Sequence, residues 1–219
     1  IAVAALAAVG AASAQSSVTL YGVVDTGYGV VQTKTEQGGV TTKTRTTGLM
    51  SGNLSGSRWG LKGQEDLGNG LSAVFNVEAG FNSVNGDFTD GFNRRSVVGL
   101  KGSFGQVLLG RDYTPMDTIG GGDYFQASDL VTADDAMGVG LYTVRANGVH
   151  YAGEFSGVGV KAFVGYDDQK TTVSGLGTTS RNRNEGYGVG VTYAGGPFMV
   201  GAAVQQFRSK DEFGTTSKN

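Results

Sequence analysis

Apolar and polar residues alternate with a period of two over most of this chain, and that pattern constrains the fold more than any other. In SVTLYGVVDTGYGVV, which begins at Ser17, alternation puts Val18, Leu20 and Val24 on one face of an extended strand. Similar runs follow in LSAVFNVEAGF and GVGVKAFVGYD, and no helical period of comparable length occurs. The pattern predicts an all-β chain of about nine strands.

The predicted connections alternate between long and short. Long polar segments are expected at residues 32–55, 82–91, 112–143 and 168–185, with short turns at 65–70, 103–105, 156–157 and 195–197. This asymmetry is typical of an up-and-down antiparallel β-barrel in the outer membrane, with an apolar outward face and a polar lumen. Aromatic residues near the strand ends are expected on the outward face, at Tyr21, Trp59, Tyr151 and Tyr193. Because an odd number of strands leaves unpaired edges, we expect this sheet to be the N-terminal part of a larger barrel, spanning 15–219, that does not close alone.

The first fourteen residues predict the compartment. IAVAALAAVGAASA is uncharged and apolar, is too short to span a bilayer, and ends in the small residues Ala12, Ser13 and Ala14. This is typical of a signal peptide, here without its basic start, cleaved between Ala14 and Gln15. A buried Ala-rich helix is the alternative. The interpretation predicts an exported chain.

Composition excludes some partners. The chain has 39 Gly, no Cys and a formal net charge of −2, and no basic stripe is present that would pair with nucleic-acid phosphates. Abundant glycine without a three-residue period fits closely packed strands joined by tight turns.

The connection at residues 112–143 is far longer than a hairpin needs, which marks it as functional or disordered. It is acidic, and the strands on either side carry Arg111 and Arg145. Its aspartates beyond Asp112 are Asp117, Asp123, Asp129, Asp134 and Asp135. If the segment folds back inside the barrel, opposite charges face each other across a gap, which would form a charge filter. These aspartates could instead serve calcium, although no DxDxDG spacing occurs.

No motif predicts catalysis, a metal site or a cofactor. His150 is the single histidine, and no GxSxG nucleophile motif accompanies it. We therefore predict a residue of the barrel wall at position 150 and no enzymatic activity, with an outer-membrane hydrolase as the enzyme alternative.

The sequence resembles the general porins of Gram-negative bacteria, particularly those of the β-proteobacterial and neisserial branch. The matching segments are SSVTLYGVVD, SRWGLKGQEDLGNGLSAVFNVE, FNRRSVVGLKGSFGQVLLGRDYTP and the GGGD loop. The resemblance implies a homotrimer of barrels with about sixteen strands each, embedded in outer-membrane lipid and lipopolysaccharide. Each barrel would form a water-filled channel for passive diffusion of ions and small hydrophilic solutes, narrowed by an inward-folded third loop.

The resemblance also suggests site residues. The basic wall of the constriction would comprise Arg58, Arg95, Arg111 and Arg145, and the acidic loop would contribute Asp117, Asp123 and Asp129. Where several relatives have a lysine early in the first strand, this chain has Val23 and Asp25, which leaves the preference for anions or cations open. The alternative function is a non-conducting structural or adhesive outer-membrane barrel.

Overall fold

The computed structural model describes residues 17–88, 91–120, 145–173, 178–195 and 198–215. The predicted signal peptide and residues 121–143 of the predicted loop lie outside this set. No helix within these ranges is long and apolar enough to cross a membrane. The elements, in chain order, are β1 (Ser17–Val23), β2 (Thr26–Gln37), β3 (Val40–Ser51), β4 (Arg58–Gly68), β5 (Leu71–Gly80), β6 (Arg95–Gly102), β7 (Gly105–Tyr113), α1 (Pro115–Gly120), β8 (Arg145–Phe155), β9 (Val158–Val173), β10 (Thr178–Gly195) and β11 (Phe198–Thr215).

Nine of the strands form one antiparallel sheet in the order β1-β4-β5-β6-β7-β8-β9-β10-β11. After β4 each strand pairs with the next along the chain, which confirms the predicted up-and-down order and strand number. In the described part of the chain β1 and β11 each have one neighbour, as expected for a sheet that does not close by itself.

Two segments predicted as long loops are largely strands, and these predictions were wrong. Residues 32–55 fall largely in the separate hairpin of β2 and β3, and residues 168–185 extend β9 and β10. A third polar segment, at the end of the described chain, continues β11 to Thr215. All three are polar on both faces, so they lack the hydrophobic alternation that identifies a half-buried strand. In the hairpin, threonines pair across the strands, as Thr33 does with Thr44 and Thr35 with Thr42, and threonine favours extended backbone.

The two faces of the main sheet differ in what covers them. Helix α1 packs on one face, which we call the inner face, where a Cβ on Gly190 would lie 3.0 Å from Pro115 Cβ. The strand register continues this face through Phe163, His150 and Leu108, all at most 5% exposed. These apolar and aromatic side chains form a buried part of the inner face next to the folded-back segment.

The opposite, outer face is apolar and exposed. Its residues include Val164, Val98 and Leu109, each more than half exposed, although the residue that precedes each of them in the chain is buried. Tyr193 is 51% exposed on the same face, and Trp59 contacts the rings of Phe88 and Phe92 there. An exposed apolar band with aromatic residues near the strand ends is characteristic of a sheet surrounded by lipid.

Candidate functional site on the inner face

A buried carboxylate organises the inner face where β5 meets the long connections. Glu78 is 5% exposed, and its Oε1 accepts a hydrogen bond from Arg94 Nε at 2.7 Å, while Arg58 Nε lies 3.8 Å from Oε2. The hydroxyl of Tyr21 lies 3.0 Å from Glu78 Oε2 and 2.7 Å from Asn76 Oδ1. Tyr21 thus faces inward, and its predicted place in the outward aromatic band was wrong. Pairing with two arginines offsets the cost of burying this charge.

Two consecutive arginines lie close to this carboxylate cluster because the chain bends just before β6. Arg95, the first residue of β6, is the register partner of Glu78, and the backbone N–H of Arg94 donates to the Glu78 carbonyl at 3.1 Å. Arg94 precedes the strand, so its side chain does not follow the alternation of β6 and reaches Glu78. Strict alternation would have assigned Arg94 to the outer face, so the sequence pattern did not reveal it.

The second ion pair lies one strand further along. Arg95 Nη2 donates to Asp112 Oδ2 at 2.8 Å, and Asp112 is 7% exposed. Both residues, with Lys161 of β9, line a small cavity of about 110 Å³ that also borders on His150. The sequence pattern did not identify Lys161 or Asp112 as site residues, because neither lies in a motif that marks a site.

Helix α1 brings the acidic segment to this cluster. Pro115 occupies the first position of α1, where a backbone N–H would have no partner within the helix, so proline costs no hydrogen bond there. Thr114 and Pro115 are fully buried. Asp117 follows in the first turn, and its charge acts on Lys161, as do those of Asp112 and Arg95. The described part of the predicted loop thus folds over the inner face.

The other predicted basic residues are placed differently. Arg111 pairs in register with Ser96 and Asn147, on the face that carries Leu109, and its Nε donates to the Asn93 carbonyl at 2.7 Å. The structure does not bring Arg111 to the inner cluster.

Arg145 lies at the start of β8, at the edge of the cluster. Its guanidinium carbon is 4.5 Å from the centroid of the Tyr113 ring, and its Nη2 donates to the Tyr113 hydroxyl at 3.0 Å. Arg94 donates to the same hydroxyl at 2.9 Å, so among the described residues Tyr113 joins Arg145 to the wall. The predicted acidic residues Asp123 and Asp129 lie outside the described residues.

His150 is a packed wall residue. Its Nε2 lies 3.0 Å from the Ala146 carbonyl, and its ring stacks on Phe163 with centroids 5.9 Å apart. No described group of three or more His, Cys, Asp and Glu side chains is arranged to hold a metal ion.

Asp25, just after β1, accepts hydrogen bonds from the loop that follows β3. Its Oδ2 accepts from the backbone N–H groups of Leu54 and Ser55, both at 2.7 Å, and these bonds lower the pKa of its carboxyl group. The Asp25 carboxylate therefore stabilises the base of the β2–β3 hairpin.

Comparison with known proteins identifies the family. The model of a Gram-negative porin family matches residues 2–218. The chain is 33% identical over 222 residues to an outer membrane porin protein of Bordetella pertussis, covering 92% of this chain and 57% of that protein. It is 31% identical over 212 residues to the major outer membrane protein P.IB of Neisseria meningitidis, covering 91% of this chain and 57% of that protein.

A solved structure shares the fold. An anion-selective porin from Comamonas acidovorans superposes with a TM-score of 0.53 at 28% identity, covering 90% of this chain and 70% of that one. The chain spans a little over half the length of the curated relatives described above. The predicted resemblance to the β-proteobacterial and neisserial branch is confirmed by these matches. The antiparallel sheet, its exposed apolar face and these similarities together show that the chain belongs to the Gram-negative porin family.

Proposed function

We propose that the protein forms a water-filled channel in the outer membrane through which ions and small hydrophilic solutes diffuse passively. The observation that carries the proposal is the position of α1, which packs on the inner face beside a cluster of paired charges. The wall comprises Arg58, Arg94, Arg95 and Lys161, with Glu78 and Asp112 paired to the arginines in the same sheet, and Asp117 of α1 is the acidic residue that faces it. Transport through such a channel involves no chemical step.

Opposite charges on the two sides of the constriction would explain how it sorts solutes. The Debye length is about 10 Å at 0.1 M salt, so ions crossing a gap narrower than this feel both walls. Anions are drawn to the arginine side and cations to the aspartate side, while apolar solutes must displace oriented water. We expect small polar solutes to pass fastest.

The outer face supports outer-membrane lipid as the surroundings. Above the exposed valines, the same face of β9 to β11 becomes charged, with Asp168 bonded to Arg181 and Glu185 facing Arg208. Cations outnumber carboxylates in this belt, which also carries Lys170, Arg183 and Lys210. We propose that it contacts the phosphates of lipopolysaccharide. Homotrimer formation, implied by the resemblance, stays a prediction that native electrophoresis can check.

The test of the inward fold uses a disulfide, since the chain has no cysteine of its own. In the variant Pro115→Cys/Gly190→Cys the two Cβ atoms would lie about 3 Å apart, close to the separation that a disulfide needs. We expect oxidation to form the crosslink and to leave ohmic current steps in planar bilayers. The matched control, Thr42→Cys/Gly190→Cys, places one thiol on the exposed hairpin and should not crosslink.

Each result has a defined meaning. Failure of the first pair to crosslink in the folded, membrane-inserted protein would show that the segment after β7 does not lie on the inner face. Absence of current steps from the unmodified protein would instead favour the structural or adhesive barrel.

A further inference from the structure

The β2–β3 hairpin forms a sheet of its own at the end of the molecule that carries the long connections. Its base is bonded to the connection between β5 and β6, since Ser83 Oγ donates to the Asp25 carbonyl at 2.6 Å. Long connections of outer-membrane barrels face the outside of the cell. Every residue from 31 to 47 is exposed, so both faces of the hairpin are open to water. A ligand can therefore reach the hairpin without entering a channel.

A two-glycine turn fixes the register of the hairpin. Gly38 and Gly39 have φ values of 58° and 81°, a combination that glycine adopts readily and that closes the tightest antiparallel hairpins. Three residues from the turn on each strand, Lys34 is paired directly with Lys43. Directly paired side chains share a face, with Cβ atoms about 5 Å apart, and like charges in this position destabilise the pair. The register therefore places two ammonium groups side by side.

A third cation lies on the same face. Arg45 is paired with Gln32 and lies two residues beyond Lys43, which puts it about 7 Å further along the strand. A recess of about 440 Å³ borders these side chains and has no carboxylate in its lining, which consists of Gln32, Thr33, Lys34, Lys43, Thr44 and Arg45. The three cations thus surround one recess.

The positive charge of this face is only partly balanced. Lys34 forms an ion pair with Glu36, whereas among the described residues neither Lys43 nor Arg45 has a carboxylate within 4.0 Å. The opposite face is neutral where threonines pair across the strands, as Thr35 does with Thr42. An anion bound between the lysines would relieve their repulsion.

The spacing and lining of the recess indicate the class of ligand. Cations spread along two strands match successive anionic groups of one polymer better than a single small ion. The guanidinium group of Arg45 can donate two parallel hydrogen bonds to a sulfate or phosphate ester. Gln32 offers an amide donor and acceptor for sugar hydroxyls, and no aromatic side chain lines the recess to stack on nucleic-acid bases.

We propose that this recess binds an extracellular acidic polysaccharide that carries sulfate or phosphate esters. One ester group lies between Lys34 and Lys43, and the next reaches Arg45. The site is separate from the proposed channel, because Lys34 lies nine residues beyond Asp25 in the chain, roughly 30 Å along the hairpin from its base. Binding can therefore be measured without any current.

Dextran sulfate is a suitable probe, with uncharged dextran as its matched control. The whole protein in phosphatidylcholine nanodiscs should bind fluorescent dextran sulfate but not dextran, and the bound polymer should slow trypsin cleavage of the hairpin. In Lys34→Gln/Lys43→Gln the dissociation constant should rise about tenfold, since each exposed charge pair contributes up to about fivefold. Glu36→Gln removes the carboxylate that competes for Lys34 and should lower the dissociation constant.

An exchange of two neighbouring residues separates the pairing of the lysines from their charge. Thr42→Lys/Lys43→Thr keeps the composition and net charge of the hairpin but moves one ammonium group to the threonine face. The dissociation constant should rise up to about fivefold. An unchanged value would show that binding is non-specific attraction to positive charge, which would overturn the site. Lys34→Arg/Lys43→Arg keeps both charges in place and should retain the affinity.

Two further results would overturn the assigned ligand. Equal or tighter binding of a single-stranded oligothymidine of matched charge would indicate a nucleic-acid site. Slower trypsin cleavage in bilayers that contain lipopolysaccharide, without any dextran sulfate, would assign the recess to the lipid of the membrane itself.

Discussion

Replacing Glu78 with Gln should destabilise the sheet and alter its charge at the same time. The change keeps the size of the side chain and an acceptor oxygen for Tyr21, but it removes the negative charge that Arg94 and Arg58 share. The side chain of Glu78 is 7% exposed, and those of Arg94 and Arg58 are 19% and 25% exposed. The two guanidinium groups would then be left close together with little water to solvate them.

The expected loss of stability follows from this burial. Breaking a fully buried ion pair costs about 3–5 kcal/mol, and the partial exposure of both arginines reduces this to roughly 2–4 kcal/mol for Glu78→Gln. Urea unfolding of the protein in detergent would measure it, with the fluorescence of Trp59, the single tryptophan, as the reporter on β4. The arginines freed by the substitution should also shift the reversal potential toward anions.

A matched control separates burial from charge. Glu36 is paired with Lys34 on the exposed hairpin, where both side chains are more than half exposed, so Glu36→Gln should change stability by less than about 0.5 kcal/mol. If the two substitutions cost the same, or if Glu78→Gln leaves both the urea midpoint and the reversal potential unchanged, the buried cluster does not have the role assigned to it.

Two further predictions concern packing and pH. In Gly99→Ala the new Cβ would collide with the Val107 carbonyl oxygen, so β6 and β7 must separate. We expect the band of the folded protein to disappear on unheated electrophoresis. Normal folding of this variant would contradict the register of β6 and β7. Because hydrogen bonds from Leu54 and Ser55 lower the pKa of Asp25, its stabilisation of the hairpin is complete above the ordinary value of 3.8 and is lost as pH falls through the lowered folded value. Proteolysis of the hairpin should therefore increase only in stronger acid, and Asp25→Asn should remove this pH dependence; a variant with the same acid transition would refute the assignment.

The sequence predicted the architecture well because alternation has a direct physical cause. The outer face carries apolar residues such as Val164, whereas polar and small residues such as Lys161 and Gly190 dominate the inner face. Phe163 is an apolar exception on the inner face, but a period of two still survives along each strand. Where both faces are in water, as in β2 and β3, the two faces do not differ in polarity, so the sequence pattern does not reveal the strands.

That residues 112–143 form a functional loop, with its aspartates facing Arg58, Arg95, Arg111 and Arg145, was predicted from the sequence and its resemblance and stays a prediction. The sequence could not show that Arg111 lies on the other face of the sheet, because the pattern around a charged residue near a strand end is the same for either face. Asp123 and Asp129 remain predictions.

The sequence alone determined the strand class, the up-and-down order of the sheet and the porin family, since these depend on local periodicity and on matching segments. The tertiary structure decided which charges meet. The bend before β6 turned Arg94 toward Glu78, sheet pairing brought Lys161 close to Arg95, and backbone N–H groups from a loop distant in sequence donate hydrogen bonds to Asp25. Such contacts join residues far apart in the chain, and their geometry depends on register and on local departures from it, which no pattern within a single strand contains.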